Sequence, residues 1–461
     1  MQSPREILSD LWSLGGGEPS ALDAITLTGS EPMLPSSFRV GAAAQATIAA
    51  AGLAAAEIWK ARSGEAQGIS VDMTHAAVEC RSERYLRVDD KPPPPAWDVI
   101  AGVYTTGDGR FVRLHTNFPH HRDNVCKVLN CKPERDDVQR VLMQWKGEEF
   151  ETAAYAGGCV VSMMRSHDEW LATPQAQAIE QLPLIQIEKI GDAAPRPWPN
   201  GHRPLAGLRV LDLSRVIAGP VAGRTWAAYG ADVMLISSPK LPSIPWLVID
   251  TGRGKLAAFA DLKTGQGRDT LRGLLTSADI FSQGYRPQSI AALGFSPEDI
   301  ARISPGIVYV SLCAYGHAGP WAGRRGFDSL VQTSTGLGNA AGVEGPKELP
   351  MQILDHATGY LMAFGGMMTR LRQVREGGSW HVKVSLAQTG RWLWNLGRVD
   401  SGLAAADLTA DDVLPFIEQS SSGFGALRSV RHAAVMSATP AFWERHAMPL
   451  GSSTAEWPSR S

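Results

Sequence analysis

The chain has 461 residues, with 44 Lys and Arg against 46 Asp and Glu for a net charge of −2, and 44% of it is hydrophobic. That balance excludes a disordered tail and a protein built to coat nucleic acid, because neither the size nor the sign of the charge draws in a polyanion. The 47 glycines and 30 prolines fit an α/β enzyme with many turns, and the length predicts two or three domains.

Residues 1–95 open on MQSPREILSDLWSLGGG, where Arg5, Glu6 and Asp10 interrupt any signal-peptide core, so a cytoplasmic protein is expected. Gly15–Gly17 reads as a flexible tail. Val40–Ala56 is the least charged long stretch, but its alanines and Gln45 predict a buried helix and no membrane span. The segment ends in KPPPP, Lys91 to Pro95, a stiff linker that no helix can cross.

Residues 96–200 change texture. VYTTGDGRFVRLHT reads as a hairpin around Gly-Asp-Gly, and helical segments follow at Asn124–Leu129 and Asp168–Leu171. A small α+β domain is expected, closed by the proline-rich joint Pro195–Pro204.

Residues 201–400 alternate regularly. GLRVLDLS, ADVMLIS, LAAFADL, ADIFSQG and GIVYVSLCAYG read as strands, separated by the helices AGPVAGRTWAAYG, Gly267–Thr276 and Pro297–Ile303. Strands apolar on both faces and separated by helices predict a doubly wound, Rossmann-like parallel sheet, whose ligands sit at the carboxyl ends of the strands. The expected fold class is therefore α/β, with this large domain beside the smaller α+β one. Residues 401–461 form a C-terminal extension.

A repeat runs through the chain. LPSSFRVGAAAQ from Leu34 and LPMQILDHATGY from Leu349 both lead into a small-residue helix, then through a basic turn into ISVDMTHAA and WHVKVSLAQ. Aligning the prolines sets Val40 opposite Asp355.

The loop after the first strand, Ser214–Pro220, lacks GxGxxG, and the chain has no Walker loop, HExxH or GxSxG. The cysteines at 80, 126, 131, 159 and 313 contain no CxxC pair, and His120–His121 has no further ligands at zinc spacing, so no metal is expected. Asp355 follows MQIL, read as strand-like, and precedes an apolar helix. The free amides and dipole of a helix N-terminus favour a charged carboxylate by ~0.3–1 kcal/mol, and a charged carboxylate can act as a nucleophile. A plain helix cap explains the same position. Lys263 in DLKT and Arg286 in GYRP end strands and are candidates for phosphate. His317 and His356 are isolated.

Taken in order, PLAGLRVLDLSRVIAGPVAG, YGADVMLIS, ADLKTGQGRDTLRGLLTSADI, the run YRPQSIAALGFSPEDIARISPGIVYVSLCAYGHAGPWAGRRGFDSL and LDHATGYLMAFGG resemble the class III CoA-transferase family, over Pro204 to about Gly390. The small-domain-like region precedes this stretch, so the order resembles half-copies fused or permuted. The resemblance implies an enzyme that moves CoA between an acyl-CoA and a small carboxylic acid. Asp355 would form an acyl anhydride and then an aspartyl-CoA thioester. CoA would be held by Val216, Ile217 and Ala218, by Lys263, and by Tyr285 and Arg286, where the family has Asn-Phe before Arg-Pro. A basic residue after the second strand is replaced by Ser237 and Ser238, so the CoA phosphates are expected to have fewer partners. The resemblance further implies an intertwined homodimer without metal. Two alternatives follow from the departures: a CoA-binding partner subunit with weak or no turnover, and an α-methylacyl-CoA racemase. The second is disfavoured because Phe327 stands where the racemase branch has the His of GHD.

Overall fold

The computed structural model describes residues 2–341 and 345–459. Helix α1 (Val40–Ser63) is 24 residues long, and its alanine-rich sequence combines high helix propensity with a nearly complete loss of solvent contact. It is long and apolar enough to cross a membrane by length and composition, but it is a core element here, packed along the large domain. It leads to strand β1 (Ile69–Asp72) and helix α2 (Met73–Glu79), whose first turn is capped by the Asp72 side chain accepting from the His75 N–H.

The large sheet has seven strands: β2 (Gln186–Gly191), β3 (Arg209–Leu213), β4 (Asp232–Ser237), β5 (Lys255–Phe259), β6 (Ile280–Gln283), β7 (Val308–Cys313) and β8 (Ser379–Ser385). Their order is β5-β4-β3-β6-β7-β8-β2, all parallel except β2, which lies antiparallel to β8. Helix α3 (Ala218–Ala228) crosses from β3 to β4, and α5 (Ile353–Glu376) crosses from β7 to β8, preceded by the short α4 (Asp328–Ser334). Side chains alternate between two cores, as parallel strands covered on both faces require. Val210, Val308 and Val310 join Trp226 and Tyr360 from α3 and α5, whereas Leu211, Phe281 and Tyr309 join Leu271 and Ile300 from the helices Gly265–Leu275 and Pro297–Ile303. The mixed α/β class with a large parallel sheet is therefore as the sequence predicts.

Two expectations are corrected. The joint at Pro195–Pro204 does not bound the large sheet, because β2 lies before it and closes the sheet edge by pairing antiparallel with β8, far along the chain. Gly15 is no flexible tail. It ends the helix Pro4–Leu14 and packs so closely on α5 that an added Cβ would lie 2.4 Å from the Phe364 ring.

The repeat is visible as structure. α5 matches α1 in length at 24 residues, and it too is followed by a strand, β8, and a helix, α6 (Leu386–Asn395), capped by the Ser385 side chain accepting from the Gln388 N–H. The two long helices pack against each other. A buried network joins the first segment to the large domain: Arg224 on α3 meets Asp250 at 2.8 Å, Ser82 donates to the same carboxylate at 2.7 Å, and Tyr360 on α5 donates to Glu79. The C-terminal stretch pairs with the first segment as well, through Val435–Met436 on β1 and the hairpin Ile417–Ser422/Gly425–Val430 on Arg87–Val88. The region after the proline linker keeps its own core, built on the three-stranded sheet Gly102–Thr105, Phe111–Leu114 and Val161–Met163.

Candidate active site

Strand order reverses between β3 and β6, and the crevice outside their carboxyl ends holds a cavity of about 450 Å3. Its floor is the loop from β3 into α3. Asp212, fully buried on β3, accepts from Lys255 Nζ at 2.9 Å, and Ser214 Oγ donates to its other oxygen. Lys255 also donates to the Pro220 carbonyl at 2.8 Å, so one buried ion pair ties the two ends of the loop together. Within it Val216 is held at φ +72°, a left-handed conformation that a β-branched residue adopts only under constraint, at roughly 1–3 kcal/mol.

Asp355 forms part of the cavity wall from the first turn of α5. The sequence places it after a strand-like run, but no strand precedes it: the helix begins at Ile353. The expected charge state is also corrected. Burial, then the negative charges of Asp328 and Glu83, raise its proton affinity well above that of a free aspartate, outweighing the helix N-terminus. The capping role falls to Asp328, whose Oδ2 accepts the Asp355 N–H at 3.0 Å while Oδ1 accepts from the Gln332 amide. Burial raises Asp328 to about 6 against these hydrogen bonds. Among the described residues no side-chain donor holds the Asp355 carboxylate.

A second cavity of about 460 Å3 lies on the other side of Asp355. Val216, Ile217, Phe327 and Asp355 line both spaces, so these four form the partition between them. The two sides differ in chemistry. The first presents Arg215, Lys263, Arg286, Arg324 and Arg325; the second is walled by aromatic and proline side chains from the linker and the small domain.

This chain matches the model of CoA-transferase family III over residues 205–445, more than half its length. The chain belongs to that family. An acetyl-coenzyme A transferase of Hypoxylon pulicicidum is 29% identical over 327 residues, 64% of this chain and 54% of that protein. An acyl-CoA transferase of Gibberella moniliformis is 26% identical over 83% of this chain and 75% of its own length. A human succinyl-CoA:glutarate CoA-transferase is 31% identical over 38% of this chain and 43% of that protein. The crystal structure of a hypothetical protein from Mycobacterium tuberculosis aligns at 28% identity and a TM-score of 0.40, covering 44% of this chain and 58% of that one. The chain thus spans about half the length of several curated relatives it matches.

In this family III chain, all seven residues singled out in the sequence come together. Val216, Ile217 and Ala218, Lys263, Tyr285 and Arg286, and Asp355 line the first cavity. Lys263 and Arg286 do not end strands; they sit in exposed turns four residues beyond β5 and three beyond β6. Tyr285 is half-buried, with its phenol pushed up by burial. His317 and His356 lie elsewhere: His317 Nε2 meets the Val384 carbonyl at 3.2 Å, and His356 Nε2 meets Glu83 at 3.1 Å.

Three arginines outside the predicted set also line this cavity. Arg215 lies two residues beyond β3 and places its guanidinium 5.0 Å from the Phe118 ring centroid, and Arg324 and Arg325 come from the loop between β7 and α4. Burial lowers the proton affinity of all three without neutralising them. All three stand in the segments quoted above. Only Arg215 stands near a strand end, two residues past β3; Arg324 and Arg325 lie 11 and 12 residues beyond β7, and no local pattern marked them.

Proposed function

We propose that this chain transfers CoA between an acyl-CoA and a carboxylic acid, with Asp355 as the covalent group. The observation that carries the reading is the position of Asp355 in the partition between a cationic cavity and one walled largely by aromatic and proline side chains. A Rossmann-like sheet with its ligand at the strand reversal agrees with the strand order. The acyl-CoA would lay its phosphates among Arg215, Lys263, Arg286 and Arg325, where cations and backbone amides suit a polyanion, and its thioester beside Asp355.

The reaction then balances within the site. An oxygen of ionised Asp355 adds to the thioester carbonyl carbon, the C–S bond breaks, and the CoA thiolate leaves behind an acyl-aspartyl anhydride. The thiolate attacks the Asp355 carbonyl and expels the first acid as a carboxylate, giving an aspartyl-CoA thioester. The incoming carboxylate attacks this thioester, forms a second anhydride and releases the thiolate. The thiolate takes the new acyl group, and Asp355 is regenerated. Splitting the exchange into acyl transfers to one carboxylate lowers each barrier. The loop around Val216 and the start of α3 line the cavity beside Asp355, so their backbone amides are the available donors for the oxyanion of each acyl transfer.

The test is chemical trapping. Incubation with acyl-CoA and hydroxylamine converts an aspartyl thioester into a hydroxamate on the peptide carrying Asp355, and Asp355→Asn abolishes both the mass change and exchange. Exchange that survives in Asp355→Asn overturns the assignment. A homodimer in the cytoplasm belongs to the same proposal, and sedimentation of the full chain tests its oligomeric part.

A further inference from the structure

The second cavity is unlike a pocket for a small polar acid. Trp97 and Phe327 form one side, Trp246 and Leu247 another, and Pro94 belongs to the linker that covers it. His115 stacks on Phe327 with ring centroids 3.9 Å apart and planes 13° apart, and Trp97 meets His115 edge-on at 5.6 Å. The lining thus provides flat faces and edges in several orientations, an arrangement that matches the quadrupole of an aromatic ring.

Two buried donors or acceptors in this lining lack partners among the described residues: His115 Nε2 and Trp246 Nε1. His115 is only 5% exposed, and its Nδ1 faces the Ser329 hydroxyl at 3.5 Å. Burial and the Arg113 charge push the imidazole down to about 3, so it is neutral and presents a hydrogen-bonding atom with no charge. An orphaned polar atom at a buried site is costly unless a ligand satisfies it.

The charges narrow the choice further. Besides Asp355, the cavity holds Glu83 and Glu348, and its one lining arginine, Arg84, sits 3.8 Å from Glu83. Glu83 also meets His356 and Glu348 is paired with Arg113, so a second carboxylate on the substrate would meet three carboxylates and a single lining arginine.

We infer that the second cavity is the acyl subsite and that it selects aromatic monocarboxylic acids, with the ring between Trp97, Phe327 and Trp246 and the carbonyl end toward Asp355. His115 Nε2 and Trp246 Nε1 are the polar atoms that a substituent on the ring or chain would satisfy. This rests on the transferase reading only for the word acyl; the ligand chemistry follows from the cavity.

The experiment uses the full chain and three acids, phenylacetate, octanoate and succinate, with acetyl-CoA as donor and calorimetry alongside. The expected result is a kcat/KM for phenylacetate at least tenfold above that for octanoate and succinate. Trp97→Ala is expected to lower the phenylacetate-to-octanoate ratio about tenfold, and Trp97→Phe to restore most of it. The Trp97 side chain is 37% exposed, so its truncation leaves the core intact. Preference for succinate or octanoate, or an equal loss for all acids in Trp97→Ala, overturns the inference while leaving the transferase standing. Calorimetric binding of phenylacetate that weakens in Trp97→Ala, with no exchange of any acid, supports the subsite and removes the transferase reading.

Discussion

Asp328 Oδ2 accepts the backbone N–H of Asp355 at 3.0 Å, so the residue that caps the helix also places a second buried carboxylate against the one that is proposed to react. Burial raises the proton affinity of both, and the Asp328 charge raises that of Asp355 further. Asp355 must be ionised to attack, so activity rises with pH through its raised titration. Asp328→Asn keeps an oxygen for the cap and removes the charge. The acid limb of the kcat/KM profile should therefore move to lower pH in this variant, as a pH–rate series will show. Stability gives a second readout. Folded Asp328 holds its proton to about 6, whereas an unfolded aspartate releases it near roughly 3.9. The folded state binds more protons between those values, so this group makes stability fall as pH rises through that window. Urea midpoints of Asp328→Asn should lose that part of the decline.

The cationic cavity predicts how CoA affinity is distributed. Arg325, Arg286 and Lys263 all line it. Charge-assisted hydrogen bonds to phosphate contribute about 1.5–3 kcal/mol each, which corresponds to roughly 10–100-fold in affinity. Arg325→Gln and Arg286→Gln should each raise KM for acyl-CoA by at least roughly tenfold with kcat little changed, and the effect should shrink as salt is added. Initial rates at two ionic strengths measure this.

The parallel sheet and its two covering layers were legible because each strand is a short apolar run between helical ones, and Asp355 was marked by the LDHATG run that carries the family resemblance, with Gly359 four residues on. Other features arise from contacts between distant segments. The Asp355 charge state depends on Asp328 and on Glu83, which lies 272 residues earlier. No local pattern reports that a helix-start carboxylate has lost its own cap to a neighbour. The second cavity likewise draws Trp97 and His115 from the small domain to Phe327 in the large one. Local propensity identified the hairpin that carries His115 but could not say what it faces. β2 was missed because QIEKIG has no unbroken apolar run, as befits an edge strand exposed on one side.

Gly359 is held as glycine by close packing. It lies one turn after Asp355 on α5, where a Cβ would approach the Ala218 carbonyl oxygen to 2.5 Å and Val221 Cβ to 2.8 Å. Backbone cannot swing aside as a flexible side chain can. Gly359→Ala should separate α3 from α5, costing about 1–3 kcal/mol, and carry Ala218 away from Asp355. Denaturation will show the lost stability, and KM for acyl-CoA should rise with it.

The loop beneath the first cavity depends on a charge that has no solvent. Lys255 and Asp212 are 1% and 0% exposed on their side chains and 2.9 Å apart, and the Asp212 oxygens also receive Ser214. Removing one member of a buried pair leaves the other charge uncompensated, at roughly 3–5 kcal/mol. Lys255→Met should therefore destabilise the fold by about that amount. The double variant Lys255→Met/Asp212→Leu, which removes both charges, should recover much of the loss in urea. Its stability returns without its function: freed from Ser214 and the Pro220 carbonyl, the loop no longer holds Val216 at φ +72°, and acyl-CoA exchange should stay low. A double variant that regained full exchange would show that the pair stabilises the sheet and leaves the loop alone.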